Sequence, residues 1–256
     1  MSLPMSSPRE LLDVYIDLDR QLAAAGADTE AAVASTIVQL AVAVVPGTEH
    51  ASITDRRDGR FRTPAATGGL ALAGDRIQYE LESGPCVDAI LSDGVLCTGD
   101  IASDARWPQA GPRLNAEAGA TSMLSFRLFF EEDPERSVGL NLYSTRRDAF
   151  DDWAEMVGTV LATHSALAMT AAAARDRAVN LQRALASNRR IGMAMGVLMA
   201  SHKVTEDDAF TLLRIASQNT NRKLLDVADE VIATGTLELP PPTSSRTRAV
   251  RKDRAR

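Results

Sequence analysis

The sequence is poor in aromatics, cysteine and histidine, and each shortage closes a class of explanation. Aromatic residues make up 4% of the 256 positions, which leans toward packed helices rather than an aromatic-rich sandwich. Two cysteines, Cys86 and Cys97, are too few for a disulfide framework and read as free thiols. The three histidines, His50, His164 and His202, lie far apart in the chain. No zinc or di-iron spacing exists, and no metal or other cofactor is expected. A Gly-rich phosphate loop and a Gly-X-Ser-X-Gly elbow are both missing. The longest nearly apolar run, 33–45, is interrupted by Ser35, Thr36 and Gln39 and stops at Pro46, short of the roughly 20 residues that span a bilayer. Residues 1–8 carry no basic stretch followed by an apolar one, so no secretory signal is expected. Together these absences lead us to expect a cytoplasmic protein with no enzymatic activity and no membrane partner.

What is present is an ordinary globular composition, 45% apolar and 24% charged, in a chain long enough for two unequal domains. The net charge of −6 is unevenly spread. Residues 240–256 hold six Arg or Lys against Asp253 alone, so this Pro-led tail is +5 and the rest of the chain −11. The tail reads as a disordered basic arm, either for nucleic acid or merely solvated.

Apolar periodicity predicts a helix over 11–25 and a second over 31–45, capped by Asp28 and ended by Pro46-Gly47. From His50 short strands follow, 50–55 and 60–67, joined at Asp58-Gly59 as a β-hairpin. A helix over 69–81 and a short segment 86–91 precede strands at 95–100, 120–130 and 138–144, with 103–118 irregular around a short helix. This order is that of an α+β domain on an antiparallel sheet. From Asp151 the pattern is helical to about 187, long enough for a signalling connector or coiled coil, and a homodimeric helical bundle is the arrangement it invites.

Three shorter helices close the chain. The first, 188–201, places Ile191, Ala194, Met195, Leu198 and Met199 on one stripe. The second opens at Thr205, whose hydroxyl can cap it, and buries Ala209, Phe210, Leu213 and Ala216. The third carries Leu224, Val227, Ala228, Val231 and Ile232 and ends at Gly235. Around this core lie Arg189, Arg190, Arg214, Arg222 and Lys223, suited to phosphates, and Ser217, Gln218 and Asn221, suited to base edges or ribose hydroxyls. Over 183–238 seven basic residues meet seven acidic ones, so recognition must rest on a few placed side chains.

The run Asn188-Arg-Arg-Ile-Gly-Met-Ala-Met-Gly-Val-Leu-Met199, then Asp208-Ala-Phe210 with Leu213-Arg214, then Asn221-Arg-Lys-Leu224 with Asp226-Val-Ala228, resembles the ANTAR family of antitermination regulators. That family forms three-helix domains that bind, as dimers, paired hairpins in nascent transcripts. The resemblance implies RNA contacts at Arg189, Arg190, Arg214, Asn221, Arg222 and Lys223; Ser217 and Gln218 are candidates by their chemistry, and Gly196, costly within a helix, invites close approach by RNA backbone or a neighbouring helix. Met195 stands where many members carry Lys or Gln.

The front half resembles the GAF sensor fold through its element order, Tyr79-Glu80-Leu81 before Gly84-Pro85-Cys86, Asp104 with Arg106-Trp107-Pro108, and 122–128 before the last hairpin. GAF followed by ANTAR is a pairing found in actinobacteria. The resemblance implies a pocket for a small molecule or an upstream signalling protein, with Tyr79, Cys86, Trp107 and Phe126 as its candidate lining or as plain core. No Asn-Lys-X-Asp-Glu cyclic-nucleotide signature is present.

The expected organisation is a GAF-like sensor over 1–150, a connector helix over 151–187, an ANTAR-like RNA-binding bundle over 188–239 and the tail. The same C-terminal helices would also suit a DNA-binding transcription factor, or a module that only dimerises a ligand-binding protein.

Overall fold

A computed structural model of the chain describes residues 20, 29–92, 94–128 and 136–237. The expected helix at 11–25 (apart from Arg20), the cap at Asp28 and the tail 240–256 lie outside the described residues. The chain divides into two compact units, Met1–Arg177 and Ala178–Arg256.

In the first unit, helix α1 (Glu30–Val44) is capped by Thr29, whose hydroxyl accepts from the Ala32 N–H. Strands β1 (His50–Arg57) and β2 (Arg60–Ala66) form the expected hairpin. Its turn residues Asp58 and Gly59 both have positive φ, 51° and 74°, the conformation a two-residue hairpin loop requires. Helices α2 (Gly69–Leu81) and α3 (Pro85–Ser92), strand β3 (Val95–Thr98), the short α4 (Ala110–Arg113) with its π turn (Leu114–Ala118), and strands β4 (Ser122–Leu128) and β5 (Arg136–Ser144) follow.

The five strands pair antiparallel in the order β2-β1-β5-β4-β3. Pro64 is tolerated because β2 is an edge strand. Strand β3 stops at Thr98 rather than at Asp100. The Gly99 carbonyl is taken by the Asp148 N–H, and Ile101 donates to Thr121 outside the ladder. Strand β5 begins at Arg136, two residues before the expected start, because its register with β1 runs out to Arg57.

Both faces of the sheet are covered. On one, Ala51, Ile53, Phe126, Leu140 and Leu142 pack with Ile37 of α1 and with Val157 and Leu161 of α5 (Asp152–His202). On the other, Met123 and Tyr143 pack with Ala71 and Ile77 of α2, Trp107 and Leu114. Gly158 of α5 makes room for the Phe126 ring, since a Cβ there would lie 2.4 Å from ring carbon Cζ.

The connector and the first helix of the C-terminal bundle prove to be one element, the 51-residue α5. By length and composition it could cross a membrane. Its Val157, Leu161, Met169 and Ala172, however, lie in the core of the first unit.

In the second unit, α6 (Glu206–Thr220) and α7 (Leu224–Thr234) complete a core of Ala194, Leu198, Ala209, Leu213, Ala216, Val227, Ala228 and Val231. Thr205 caps α6 as expected, accepting from the Asp208 N–H, and Gly235 closes α7 at φ 76°. Phe210 departs from expectation: it is 42% exposed. Ala209, Leu213 and Ala216 define the buried face, and Phe210 projects about 100° around the helix from Ala209. Met199 and Ile232 are likewise exposed at the edges of their stripes.

Replacing Gly158 by Ala should cost about 1–3 kcal/mol, because the Phe126 ring must shift within a filled core. Urea unfolding of the variant measures this, and a loss below 0.5 kcal/mol (roughly the size of a surface change) would contradict that packing.

Candidate functional site

Strand alternation sends Ser52 and Thr54 of β1 and Asn141 and Tyr143 of β5 to the face covered by α2 and α3, where Asp75 of α2 meets them. Asp75 is fully buried. Its Oδ1 accepts from Ser52 Oγ at 2.9 Å and Tyr143 OH at 2.5 Å, and its Oδ2 from Thr63 Oγ1 at 2.7 Å. These donors are all neutral. Burial therefore wins over hydrogen bonding and pushes the Asp75 carboxyl up to about 6.

The cluster extends outward from this acid. Asn141 Nδ2 donates to Thr54 Oγ1 at 2.9 Å, and Thr54 Oγ1 lies 2.7 Å from Tyr79 OH and 3.0 Å from Cys86 Sγ. Gln78 bridges Tyr143 OH and the Cys86 N–H. The approach of Gln78 requires Gly84, which has φ 137° and where a Cβ would sit 2.4 Å from Gln78 Oε1. Burial, followed by the charge of Asp75, raises the Cys86 thiol far above its ordinary value. Cys86 is thus held as a neutral thiol and is a poor nucleophile. Two buried atoms of neighbouring strands, Asn141 Oδ1 and Ser125 Oγ, have no partner among the described residues.

Of the expected pocket residues, Tyr79 and Cys86 belong to this cluster. Trp107 is buried in the same face, its Nε1 donating to Asp88 Oδ2 at 2.6 Å. Arg106 lies over the Trp107 ring, 4.3 Å from its centroid, and forks onto Asp104. Hydrogen bonds from Arg106 hold the Asp104 carboxyl down at about 2. This clasp accounts for the Asp-X-Arg-Trp pattern structurally. Phe126 lies on the opposite face, against α1 and α5, and does not join the other three. Its place follows from parity, one residue from Ser125.

That opposite face holds a second buried acid, Asp55. Arg136 donates to both its oxygens at 3.1 and 3.2 Å, and Arg62 to Oδ2 at 2.5 Å. Arg136 also pairs with Glu30, whose backbone N–H donates to Asp176 Oδ2 at 3.1 Å. Burial alone would raise the Asp55 carboxyl, but Arg136 and Arg62 hold it below the ordinary range.

In the second unit, Arg214, Gln218 and Asn221 are exposed and share one strip of α6, with Ser217 half-buried beside it. Asn221 takes the left-handed conformation, φ 52°, that ends this helix. Ser217 donates to the Arg222 carbonyl at 2.7 Å. Both residues therefore shape the α6–α7 turn and bring Arg222 and Lys223 to its end. Arg222 pairs with Glu230 at 2.5 Å and Arg190 with Asp229. Arg189, Arg214 and Lys223 are exposed and make no ion pair among the described residues. Gly196, and Gly192 one turn before it, face open space: a Cβ at either position would meet no atom within 4 Å.

A GAF domain model matches residues 27–170, and an ANTAR domain model matches residues 179–232. The chain belongs to the GAF family and carries an ANTAR domain. This GAF–ANTAR protein thus has the domain content of a regulator with a sensor. No curated protein sequence matches it. Among solved structures it is similar to the GAF domain of a phosphoenolpyruvate-protein phosphotransferase from Coxiella burnetii, with a TM-score of 0.53 at 16% identity, covering 67% of this chain and 99% of that one. It is also similar to the phytochrome photosensory core module of Stigmatella aurantiaca, with a TM-score of 0.58 at 11% identity, covering 88% of this chain and 47% of that one. A free methionine-R-sulfoxide reductase from Neisseria meningitidis aligns at 13% identity over 67% of this chain and 96% of that one, with a TM-score of 0.49. For the first two, at these identities, the likeness is one of fold.

The Asp75 cluster was not foreseen from the sequence. Ser52 and Thr54 alternate with Ala51 and Ile53 and so look like a solvent face, whereas helices cover both faces of this sheet. The available signal was the set of short hydroxyl and amide side chains on β1 and β5 in place of the charged ones that usually face water.

Because the folded-state value of Asp75 is raised, its contribution favours folding at low pH and is lost as pH rises from about 4 to about 6. The stability of Asp75→Asn relative to the wild-type chain should therefore increase across that interval by about 3 kcal/mol and stay level above it. Denaturant unfolding at a series of pH values reads this difference, and a flat profile would be inconsistent with a buried, raised acid. At Gly196 the open surroundings make the opposite case to Gly158: Gly196→Ala should stabilise the free protein by about 0.5–1 kcal/mol in the same assay.

Proposed function

We propose that this GAF–ANTAR protein is a cytoplasmic, non-enzymatic regulator of transcription antitermination whose C-terminal unit binds paired RNA hairpins as a homodimer under control of the sensor. The observation that carries this reading is the ANTAR match over 179–232, laid on a three-helix unit that keeps Arg189, Arg214 and Lys223 exposed and free of ion pairs among the described residues. Such cations add affinity by displacing counterions from phosphates, independently of sequence. Arg190, Arg222, Ser217, Gln218 and Asn221 add hydrogen-bonding groups beside them, and the bare backbone at Gly196 allows an RNA strand to approach closely.

Dimerisation has its own support. Along α5, Leu167, Ala171, Ala174, Ala178, Leu181 and Leu185 recur at alternating steps of four and three. Leu167, Leu181 and Leu185 on this line are 64%, 62% and 59% exposed, as expected of a coiled-coil seam seen without its partner.

For the sensor, a small-molecule input is supported by the buried polar cluster around Asp75, beside which Asn141 Oδ1 and Ser125 Oγ have no hydrogen-bond partner among the described residues. Such a ligand would act only through different affinities for two states of the protein. The neutral, buried Cys86 thiol supports a binding rather than a catalytic role for this face.

The test is selection from a pool of two-hairpin transcripts, with duplex DNA as competitor at fixed salt. Retention of RNA over DNA, weakened about three- to ten-fold for each of Arg214→Ala and Lys223→Ala with helicity unchanged, is the expected result. Preference for duplex DNA would convert the reading to a DNA-binding factor. Retention of neither would leave the C-terminal helices as a dimerisation element.

A further inference from the structure

Two cations of the proposed RNA surface are already occupied. Arg190, on α5, pairs with Asp229, and Arg222, at the α6–α7 turn, pairs with Glu230. The two acids are consecutive residues of α7, so a single helix supplies both counter-ions. The Arg222–Glu230 contact is shallow, with side chains 45% and 40% exposed, whereas in the Arg190–Asp229 contact the side chains are 46% and 31% exposed and the paired Asp229 Oδ1 is itself buried. Each contact joins one guanidinium nitrogen to one carboxylate oxygen, and a phosphate oxygen can take the place of that carboxylate oxygen. Each acid therefore competes with RNA for its arginine.

We infer that Asp229 and Glu230 are built-in competitors for RNA phosphate, tuning the affinity of the C-terminal unit and raising the threshold for non-specific RNA. This inference rests on the RNA-binding reading above and adds a regulatory element to it. Its physical basis is the weakness of the pairs. Exposed ion pairs are worth little, and a phosphate in the correct hairpin geometry can displace them, whereas one isolated phosphate on an arbitrary strand gains little by doing so. The even balance of seven basic and seven acidic residues over 183–238 has the same consequence. Bulk attraction is cancelled, and selection falls to contacts that geometry must satisfy.

The experiment uses the full-length protein and the tightest RNA obtained from the two-hairpin pool. Asp229→Asn and Glu230→Gln should each raise affinity about two- to five-fold at low salt. Asp207→Asn removes the same charge from an exposed position at the start of α6 that holds no arginine among the described residues, and should give a smaller gain. In an Arg222→Ala background the gain from Glu230→Gln should vanish, because the cation it releases is gone. The gains should also shrink as salt rises.

Should Asp229→Asn lose helicity by circular dichroism, Glu230→Gln carries the test alone, since its partner lies in a turn rather than across two helices. Unchanged or weaker RNA binding in Glu230→Gln, or a gain no larger than that of Asp207→Asn, overturns the inference while leaving the RNA-binding reading intact. If the wild-type chain retains no RNA from the pool, the reading falls and the inference with it.

Discussion

A five-stranded sheet covered on both faces leaves the polar residues in the middle of β1, β4 and β5 no access to water, and the sensor unit is organised around that constraint. Strand β1 shows it most sharply, with Thr54 and Asp55 adjacent in sequence and buried on opposite faces. On the α2 side the solution is neutral: hydroxyls and an amide surround the Asp75 carboxylate, which keeps a raised proton affinity. On the α1 side it is ionic: Arg136 and Arg62 satisfy Asp55 and lower its proton affinity. Uncompensated burial of either acid would be prohibitive. The positions of α2 over β1 and β5, and of α1's first turn over Arg136, therefore serve the hydrogen bonding as well as the apolar packing.

The two networks differ in charge and in how fully their polar atoms are paired. The Asp55–Arg136–Glu30 set is saturated by formal charges of both signs and belongs to the frame of the unit, with Asp176 of α5 accepting from the start of α1. The Asp75 set contains no cation and leaves Asn141 Oδ1 and Ser125 Oγ without partners. The C-terminal unit follows a similar economy at its surface. Its arginines are divided between those held by Asp229 and Glu230 and those left open to solvent.

Much of the fold was legible in the sequence because its signals are local. The Asp58-Gly59 turn, the Thr205 cap and the Gly235 stop each depend on backbone conformations that few residue types favour. Spacing alone likewise identified the core of the C-terminal unit, from Ala194 and Leu198 to Val231. Phe210 is the instructive exception. Its hydrophobicity placed it inside, but the buried arc of α6 is narrow and Ala209 occupies its edge.

By itself the sequence determined the order of helices and strands, the α+β class and the two domain families, since periodicity and motif order are properties of neighbouring residues. Tertiary structure alone decided which polar residues would be buried together. Asp75, Ser52, Thr63 and Asn141 come from distant parts of the chain, and nothing local separates a hydroxyl facing water from one facing a carboxylate beneath a helix. It also decided that Phe126 would leave the face of Tyr79, Cys86 and Trp107, because one step along a strand reverses the side a residue faces. The pairing of Arg190 with Asp229 was settled in the same way, by two helices that meet only in the folded bundle, while Arg222 reaches Glu230 from the turn just before α7.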